Sequence, residues 1–271
     1  MKLIKNIINN MKIRTKLIIS YLSIVIVTVL IVGVYLISRM NNIVVENAIK
    51  EGRYNNNSVK SRMEEVLKLA INTSDMIYQD DNLHSMLKRE YDNYGQVVSA
   101  YNEYTILRDY LKYYNEFNGV EMYVDNDTLL SATGIFKVTD EIRESSWYKK
   151  AIEDKGIITW LYKKDETTGN YSLSLVRSIN STSKGHIGVL VISINPNYLA
   201  DIVNDERYKT SILVDGRVIY SNDLKVGEIA DLGRSEAEAS YYYEINEEFN
   251  ENGDHLILNT FKLDKSFNNT F

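Results

Sequence analysis

The sequence predicts an α+β protein that begins with a membrane-spanning helix, and three patterns carry this prediction. An apolar run near the N-terminus is long enough to cross a bilayer. Apolar residues at helical spacing follow it up to about residue 115, and alternating apolar and polar residues after Gly119 are typical of strands. The order of helices, strands, a short helix, three strands and a further helix favours a mainly antiparallel sheet with helices packed on it.

The apolar run extends from Leu17 to Ile37 and contains no charged side chain. At a rise of about 1.5 Å per residue, about 20 residues cross a hydrocarbon core of about 30 Å. The run is longer than the apolar core of a cleavable signal peptide, and the following Ser38-Arg39-Met40-Asn41 is unlike a cleavage site. We therefore expect a retained anchor over residues 17–38.

The charges beside the anchor predict its orientation. No acidic residue precedes Glu46, and the basic residues before the anchor are Lys2, Lys5, Lys12, Arg14 and Lys16. The positive-inside rule therefore predicts a cytoplasmic tail, residues 1–16, with residues 39–271 outside the cell. The part outside is acidic, since the whole chain has 31 basic and 37 acidic residues. Such a surface argues against binding to nucleic acid.

The helical part begins with a long helix, predicted over about residues 40–79, that leaves the membrane. Asp80-Asp81-Asn82 is a turn and N-cap signal for a short helix over about residues 83–90. The apolar and aromatic spacing from Val97 to Leu111 predicts a third helix over about residues 95–115.

The strands follow. The pattern predicts a first strand over 120–124, which Asp125-Asn126-Asp127 turns into a hairpin with 128–131. A short helix is expected around 147–152, and strands over 157–162, 171–179 and 186–194. Asn195-Pro196 then caps and opens a helix to about Val203.

A second module begins near Tyr208. Asp215-Gly216 suits a two-residue turn between strands 211–214 and 217–220, and Asn252-Gly253 another turn between strands 241–249 and 255–263. The chain thus divides into the tail (1–16), the anchor (17–38), stalk and distal helices (39–115), a sheet domain (116–205) and a partial second sheet domain (206–271).

Catalytic and metal-binding motifs are absent from the sequence, so we expect neither a catalytic residue nor a cofactor. There is no cysteine, and the three histidines fall in separate elements. Asp125-Asn126-Asp127 begins like a calcium loop, but Leu130 stands where that loop requires glycine, which favours a plain turn.

Aromatic and polar side chains concentrate between residues 120 and 180. Flat rings with a few polar groups are what a small-ligand pocket requires, although each of these residues could equally belong to the core or the surface. The candidate ligand-binding residues are Tyr123, Trp147, Tyr148, Trp160, Tyr171 and Arg177, with Tyr162 beside them.

Several segments together resemble the sensor region of YesM-type histidine kinases, which contains a double Cache domain. They are SDMIY at 74–78, WYKKA at 147–151, ITW at 158–160, YSLSLVR at 171–177, GVLVISIN at 188–195, ILVDG at 212–216, VIYS at 218–221 and VG at 226–227. The resemblance implies a PAS-like, membrane-distal ligand domain followed by part of a membrane-proximal one. It also implies that a second membrane helix, a HAMP linker and a kinase would follow residue 271.

The resemblance further implies a sugar, or a sugar-binding protein, as the stimulus, a homodimer as the assembly, and an AraC-type response regulator reached through the kinase. Amino-acid-binding Cache domains carry Arg and Asp at positions that hold Ser145 and Val191 here. Neither residue can pair with the ammonium or the carboxylate group of an amino acid, which argues against that mode of binding. Two alternatives stay open, namely the input region of a chemotaxis receptor or cyclic-di-GMP enzyme, and a stand-alone anchored binding protein or remnant of a sensor gene.

Overall fold

The computed structural model describes residues 12–164, 171–181, 185–204, 210–214, 217–222, 225–228, 242–244 and 256–259 of the 271-residue chain. The chain forms two compact units, Met1–Glu51 and Gly52–Phe271. The finer division into five parts stays a prediction.

The described part of the first unit is helical and apolar. Helix α1 spans Ile13–Tyr78, and its segment Ile13–Val44 has a mean hydropathy of 2.8 and no buried residues in its most apolar stretch. Ser23 and Thr28 donate their hydroxyl protons to the carbonyls of Ile19 and Ile24, so both polar side chains are satisfied within the helix. Among the described residues, this is the one helix that is long and apolar enough to cross a membrane.

In the second unit, α1 packs through one stripe. Its buried apolar residues are Val59, Met63, Val66, Leu67, Ala70 and Ile77. Their spacing of mostly three and four residues places them on one side of the helix, which confirms the long helix expected over 40–79. Asp80 then caps α2 (Asp81–Lys88) by accepting bonds from the backbone of Asn82 and Leu83, as the sequence predicts.

The expected third helix over 95–115 is wrong as a single element. The structure has α3 (Tyr94–Glu103) and α4 (Ile106–Tyr113), separated by an extended Tyr104 (φ −121, ψ 97). Thr105 opens α4, and its hydroxyl donates to Asp109 at 2.6 Å. Threonine has a low helix propensity, and the backbone of Tyr104 and Thr105 leaves helical geometry here, so the chain forms two helices.

The first sheet has five strands in the order β2-β1-β5-β4-β3. They are β1 (Phe117–Val124), β2 (Ile135–Lys137), β3 (Thr159–Lys164), β4 (Tyr171–Ser181) and β5 (Gly185–Ile194). All neighbours are antiparallel except β1 and β2, which run parallel. The predicted strands over 120–124, 157–162, 171–179 and 186–194 are confirmed, with ends shifted by a few residues.

The hairpin expected at Asp125-Asn126-Asp127 is wrong. Residues 128–131 form no strand, and the chain instead returns through a turn at Thr133 and Gly134, both with positive φ, to make the parallel β2. The cause is Asn126, whose side chain donates to the carbonyls of Leu87 and Arg89 and accepts from the backbone of Thr128. These bonds fasten the turn to the end of α2, so it cannot form a hairpin.

Three further helices complete this domain. Helices α5 (Asp140–Glu144) and α6 (Ser146–Glu153) precede β3, and α7 (Pro196–Asn204) follows β5. The Asn195 side chain accepts a bond from the backbone of Asn197, which confirms the predicted cap.

A second sheet has the order β7-β6-β9-β8 and is antiparallel throughout. Its strands are β6 (Ser211–Val214), β7 (Arg217–Ser221), β8 (Tyr242–Glu244) and β9 (Leu256–Asn259). All four fall where the sequence predicts strands, whereas the predicted turns at 215–216 and 252–253 lie outside the described residues.

Candidate functional site

The first sheet has two faces with different contents. On one, which we call the α1 face, Met122, Leu175 and Leu190 belong to the same apolar core as the buried stripe of α1. On the other, which we call the α6 face, Tyr123, Val176 and Val191 pack with Tyr148 and Ala151 of α6. Because side chains alternate along a strand, the register assigns each strand residue to one face.

One half of the α6 face is aromatic. The Tyr123 ring stacks on Phe136 with centroids 5.5 Å apart, and Trp147 meets Tyr123 edge-on at 5.3 Å. Trp147 in turn contacts the ring of Tyr148 at 5.7 Å. Tyr148 is buried, which raises the pKa of its hydroxyl, whereas Trp147 is half-buried at the edge of this aromatic cluster. Helix α6 thus presents two adjacent rings to the sheet.

The other half of the α6 face is polar although it is buried. Ser172, Ser174 and Ser193 are each at most 2% exposed. Ser174 and Ser193 are cross-strand partners whose hydroxyl oxygens lie 3.0 Å apart, and Ser172 lies 3.3 Å from Ser174. These three residues form a hydroxyl row across β4 and β5. A strand face built only for stability would carry apolar side chains there, because buried hydroxyls contribute little net free energy.

By strand register, Glu121 lies on the α6 face between the Gly119–Ser193 pair and Tyr123 of the aromatic cluster. The residue is 9% exposed, and its carboxylate accepts a hydrogen bond of 2.8 Å from the Tyr123 hydroxyl. A side chain on Gly119 would begin 3.5 Å from the Glu121 carboxylate, which is an ordinary contact distance. Gly119 is in turn the cross-strand partner of Ser193. Hydroxyls, a carboxylate and ring faces therefore lie side by side on one surface.

The six candidate ligand-binding residues do not lie together. The structure brings Tyr123, Trp147 and Tyr148 into one cluster on the α6 face. Trp160 lies on the α1 face within the main core, so a ligand in contact with Trp147 cannot reach it. Tyr171 begins β4 and is 56% exposed, with its ring 5.6 Å from Tyr162.

Arg177 also lies on the α1 face. It is the cross-strand partner of Leu190, and its guanidinium contacts residues of α1 and the turn before β3. Its partners are thus protein groups on the side opposite the aromatic cluster.

Sequence reasoning missed Glu121 and the hydroxyl row. A signal for them was present, because Ser172, Ser174 and Ser178 all fall at even-numbered positions of one strand and therefore on one face of it. Several small polar residues on one face of a largely buried strand indicate that this face is not an ordinary apolar core.

The sequence matches no known family profile and no curated protein. The fold, however, is similar to solved sensor domains. The extracellular domain of rpHK1S-Z16, a protein assigned as a histidine kinase, superposes with a TM-score of 0.57 at 14% identity, over 82% of this chain and 98% of that domain. The ligand-binding domain of the Campylobacter jejuni chemoreceptor Tlp3, in complex with 4-methylisoleucine, gives 0.54 at 14% identity, over 83% and 94%. These likenesses show that the chain has the α+β fold of extracellular sensor domains.

Proposed function

We propose that this chain is the extracytoplasmic signal-sensing region of a membrane receptor and that the α6 face of the first sheet binds a small-molecule ligand. The observation that carries the proposal is the hydroxyl row with Glu121, buried beside the aromatic cluster. A few polar groups next to apolar ring faces can fix a small ligand in one orientation. The described site offers binding groups and no arrangement of nucleophile and base.

The proposed topology follows from the anchor. Residues 17–38, within the candidate segment Ile13–Val44, span the membrane, residues 1–16 lie in the cytoplasm, and the sheet domains lie outside. The basic residues that precede the apolar run support this orientation.

The receptor class that we favour is a YesM-type sensor histidine kinase, supported by the sequence segments that resemble that family. A homodimer, and an AraC-type response regulator acting after the kinase, belong to the same proposal. A chemoreceptor input region is the second candidate, and the likeness of fold to Tlp3 favours it. The domain that follows the sensor region in the full gene distinguishes the two.

For the ligand we favour a carbohydrate, free or carried by a binding protein. A sugar presents many hydroxyls that can donate to Glu121 and exchange bonds with the hydroxyl row, while its apolar ring face stacks on an aromatic side chain. Amino acids are the alternative. Against them, Ser145 donates its hydroxyl proton to the carbonyl of Ile142, and Val191 lies in the apolar half of the α6 face, so neither offers a charge.

A thermal-shift screen of the full chain in lipid nanodiscs tests the proposal, with one panel of mono- and oligosaccharides and one of amino acids. A ligand at 100 times its dissociation constant should raise the free energy of unfolding by about 2.7 kcal/mol. Trp147→Ala should abolish the shift because it removes an edge of the aromatic cluster. Trp160→Phe, on the opposite face, should keep it.

Two outcomes count against this assignment. If no member of either panel stabilises the protein, the α6 face does not bind these ligand classes. If a ligand stabilises Trp147→Ala as much as the unaltered chain, Trp147 belongs to the core.

A further inference from the structure

Arg177 joins three elements of the second unit through one guanidinium. Its Nε donates to the Gly156 carbonyl at 2.8 Å, and its Nη1 donates to Asp75 at 2.6 Å and to the Ser74 hydroxyl at 3.2 Å. The guanidinium also lies over the Tyr78 ring, 4.1 Å from the centroid. Ser74, Asp75 and Tyr78 form the last turns of α1, whereas Gly156 lies between α6 and β3.

The Gly156 end of these contacts is fastened to α6. Asp154 follows the last residue of α6, and its backbone N–H donates to the Lys150 carbonyl of that helix at 2.9 Å, while its carboxylate accepts a bond of 2.9 Å from the Thr159 hydroxyl of β3. Lys155 and Gly156 both have positive φ, at 48° and 96°, so the backbone of the turn lies on the left-handed side of φ/ψ space at both residues. A side chain on Gly156 would begin 3.3 Å from the Tyr78 ring, which shows how closely this turn and the end of α1 approach. The turn cannot shift far without displacing Arg177 or Tyr78.

The two neighbours of Arg177 in the chain face the other way. Val176 and Ser178 point to the α6 face, where Val176 packs with Tyr148 and Ala151. Arg177 is therefore placed on the strand that carries the hydroxyl row, and it also holds the turn that ends α6. Arg177 is thus connected to both parts of the proposed ligand site, to the hydroxyl row through the backbone of β4 and to α6 through the turn at Gly156, although its side chain lies on the opposite face.

We propose that Arg177 is a positioning residue that couples α6, as it moves over a ligand on the α6 face, to the last turns of α1. The inference rests on the proposed function and names the contacts through which ligand binding on the α6 face would reach α1. A shift of α6 moves the Gly156 carbonyl, and the guanidinium transfers that shift to Asp75 and Tyr78. The concentration of aromatic and polar residues in the sequence made Arg177 a candidate for ligand contact, whereas its geometry assigns it to this connection.

Arginine suits this position for a physical reason. Its planar guanidinium donates in several fixed directions at once and can also stack on an aromatic ring, so one rigid group links a carbonyl, a carboxylate and Tyr78. The Arg177 side chain is 13% exposed, whereas Asp75 is 47% exposed. Water therefore screens the carboxylate more than the guanidinium, and the connection depends on hydrogen-bond geometry more than on charge alone. A lysine would keep the positive charge but lose the planar group that donates in several fixed directions.

Amide hydrogen exchange of the full chain in lipid nanodiscs tests this without a ligand. Trp147→Ala serves as the probe, because it loosens α6 directly. In the unaltered background it should speed exchange within α6, and also at residues 72–78 of α1 by about tenfold, the effect of losing roughly one charged hydrogen bond. In an Arg177→Met background, exchange at 72–78 should be fast already, and Trp147→Ala should speed exchange within α6 alone.

Arg177→Lys serves as a second variant, because it keeps the charge and should uncouple the two elements in the same way if Arg177→Met does not fold. Glu64→Gln is the matched control, since it removes the partner of Lys60 in an ion pair within α1 and should leave the effect of Trp147→Ala on 72–78 intact.

The proposal is overturned if Trp147→Ala speeds amide exchange at residues 72–78 equally with and without Arg177. It is also overturned if Trp147→Ala leaves exchange at these residues unchanged in the unaltered background. A purely structural role for Arg177 would give those additive effects. Because no ligand is used, failure here is distinct from failure of the ligand screen.

Discussion

At the scale of residues, the buried polar groups of the α6 face carry the functional argument. Glu121, Ser174 and Ser193 are buried there, whereas other strand positions of the same face carry valine. A buried hydroxyl left without a partner costs about 1–3 kcal/mol, so such groups persist where they bind each other or a ligand. Aromatic residues are a weaker indication of a binding site than buried polar residues, because aromatic side chains suit both cores and binding sites.

The two tryptophans show what a sequence can predict about single residues. Trp147 and Trp160 look alike as candidates, yet they lie on opposite sides of the sheet. Which face Trp160 occupies depends on its pairing with Leu175, a register that no local pattern reveals. Residues on one strand, such as Glu121 and Tyr123, could have been assigned to a common face from their even spacing alone.

His186 gives a prediction about pH. Burial lowers the pKa of its imidazole below the usual 6.5, Lys88 lowers it further, and Asp125 opposes both. Its Nδ1 lies 3.2 Å from the Asn180 side-chain oxygen and 3.4 Å from the Ser178 hydroxyl, while Nε2 is buried without a hydrogen-bond partner in the part of the chain that the structure describes.

Below about pH 6.5 the unfolded chain therefore takes up a proton at His186 that the folded chain resists. The free energy of unfolding should fall as the pH falls through that value. Urea titrations at about pH 7.5 and 5.5 measure this, and His186→Gln should lose less stability between the two than the unaltered protein. An equal loss in both would show that His186 does not contribute.

At the scale of elements, the predictions succeeded where one strong local signal decided the structure. Apolar periodicity placed the long helix and the three later strands, and Asn195 placed the start of α7. They failed where a side chain made a distant bond. Asn126 was read as a turn residue, but its bonds to Leu87 and Arg89 fix where the chain goes next, and these partners lie more than 35 residues away.

A close approach of β1 and β5 gives a prediction at this scale. Gly188 of β5 pairs with Val124, and a side chain there would overlap the carbonyl of Tyr123. Gly188→Ala should therefore force the strands apart and lower the free energy of unfolding by about 1–3 kcal/mol. Urea titration measures this.

Gly119→Ala is the matched control. Gly119 lies in β1 of the same sheet, and an added methyl group would meet the Glu121 carboxylate only at 3.5 Å, an ordinary contact. Its stability should change by no more than about 0.5 kcal/mol. Similar losses for both variants would contradict the close approach.

At the scale of the whole molecule, an apolar helix long enough to cross a membrane precedes a unit with the fold of extracellular sensor domains. The α+β class was predictable because the apolar anchor and the change from helical to alternating periodicity are visible in the sequence. The position of the candidate site was less predictable from the sequence. It depends on the pairing of β1, β5 and β4 and on the way α6 covers one half of the α6 face. Those are properties of the assembled sheet.

The central claim is that the hydroxyl row binds the ligand, and replacing one of its members tests this most directly. The measurement is the thermal shift caused by the strongest ligand of the screen on the full chain carrying Ser174→Ala. The matched control is Ser211→Ala in the second sheet, where another buried serine lies 2.7 Å from its cross-strand partner Ser221.

Without ligand, Ser174→Ala should lose about 1–2 kcal/mol of stability because it gives up its bonds to Ser193 and Ser172, and Ser211→Ala about 1 kcal/mol because it gives up its bond to Ser221. The account predicts that Ser174→Ala loses most of the ligand-induced shift while Ser211→Ala keeps it. An undiminished shift in Ser174→Ala would contradict the account.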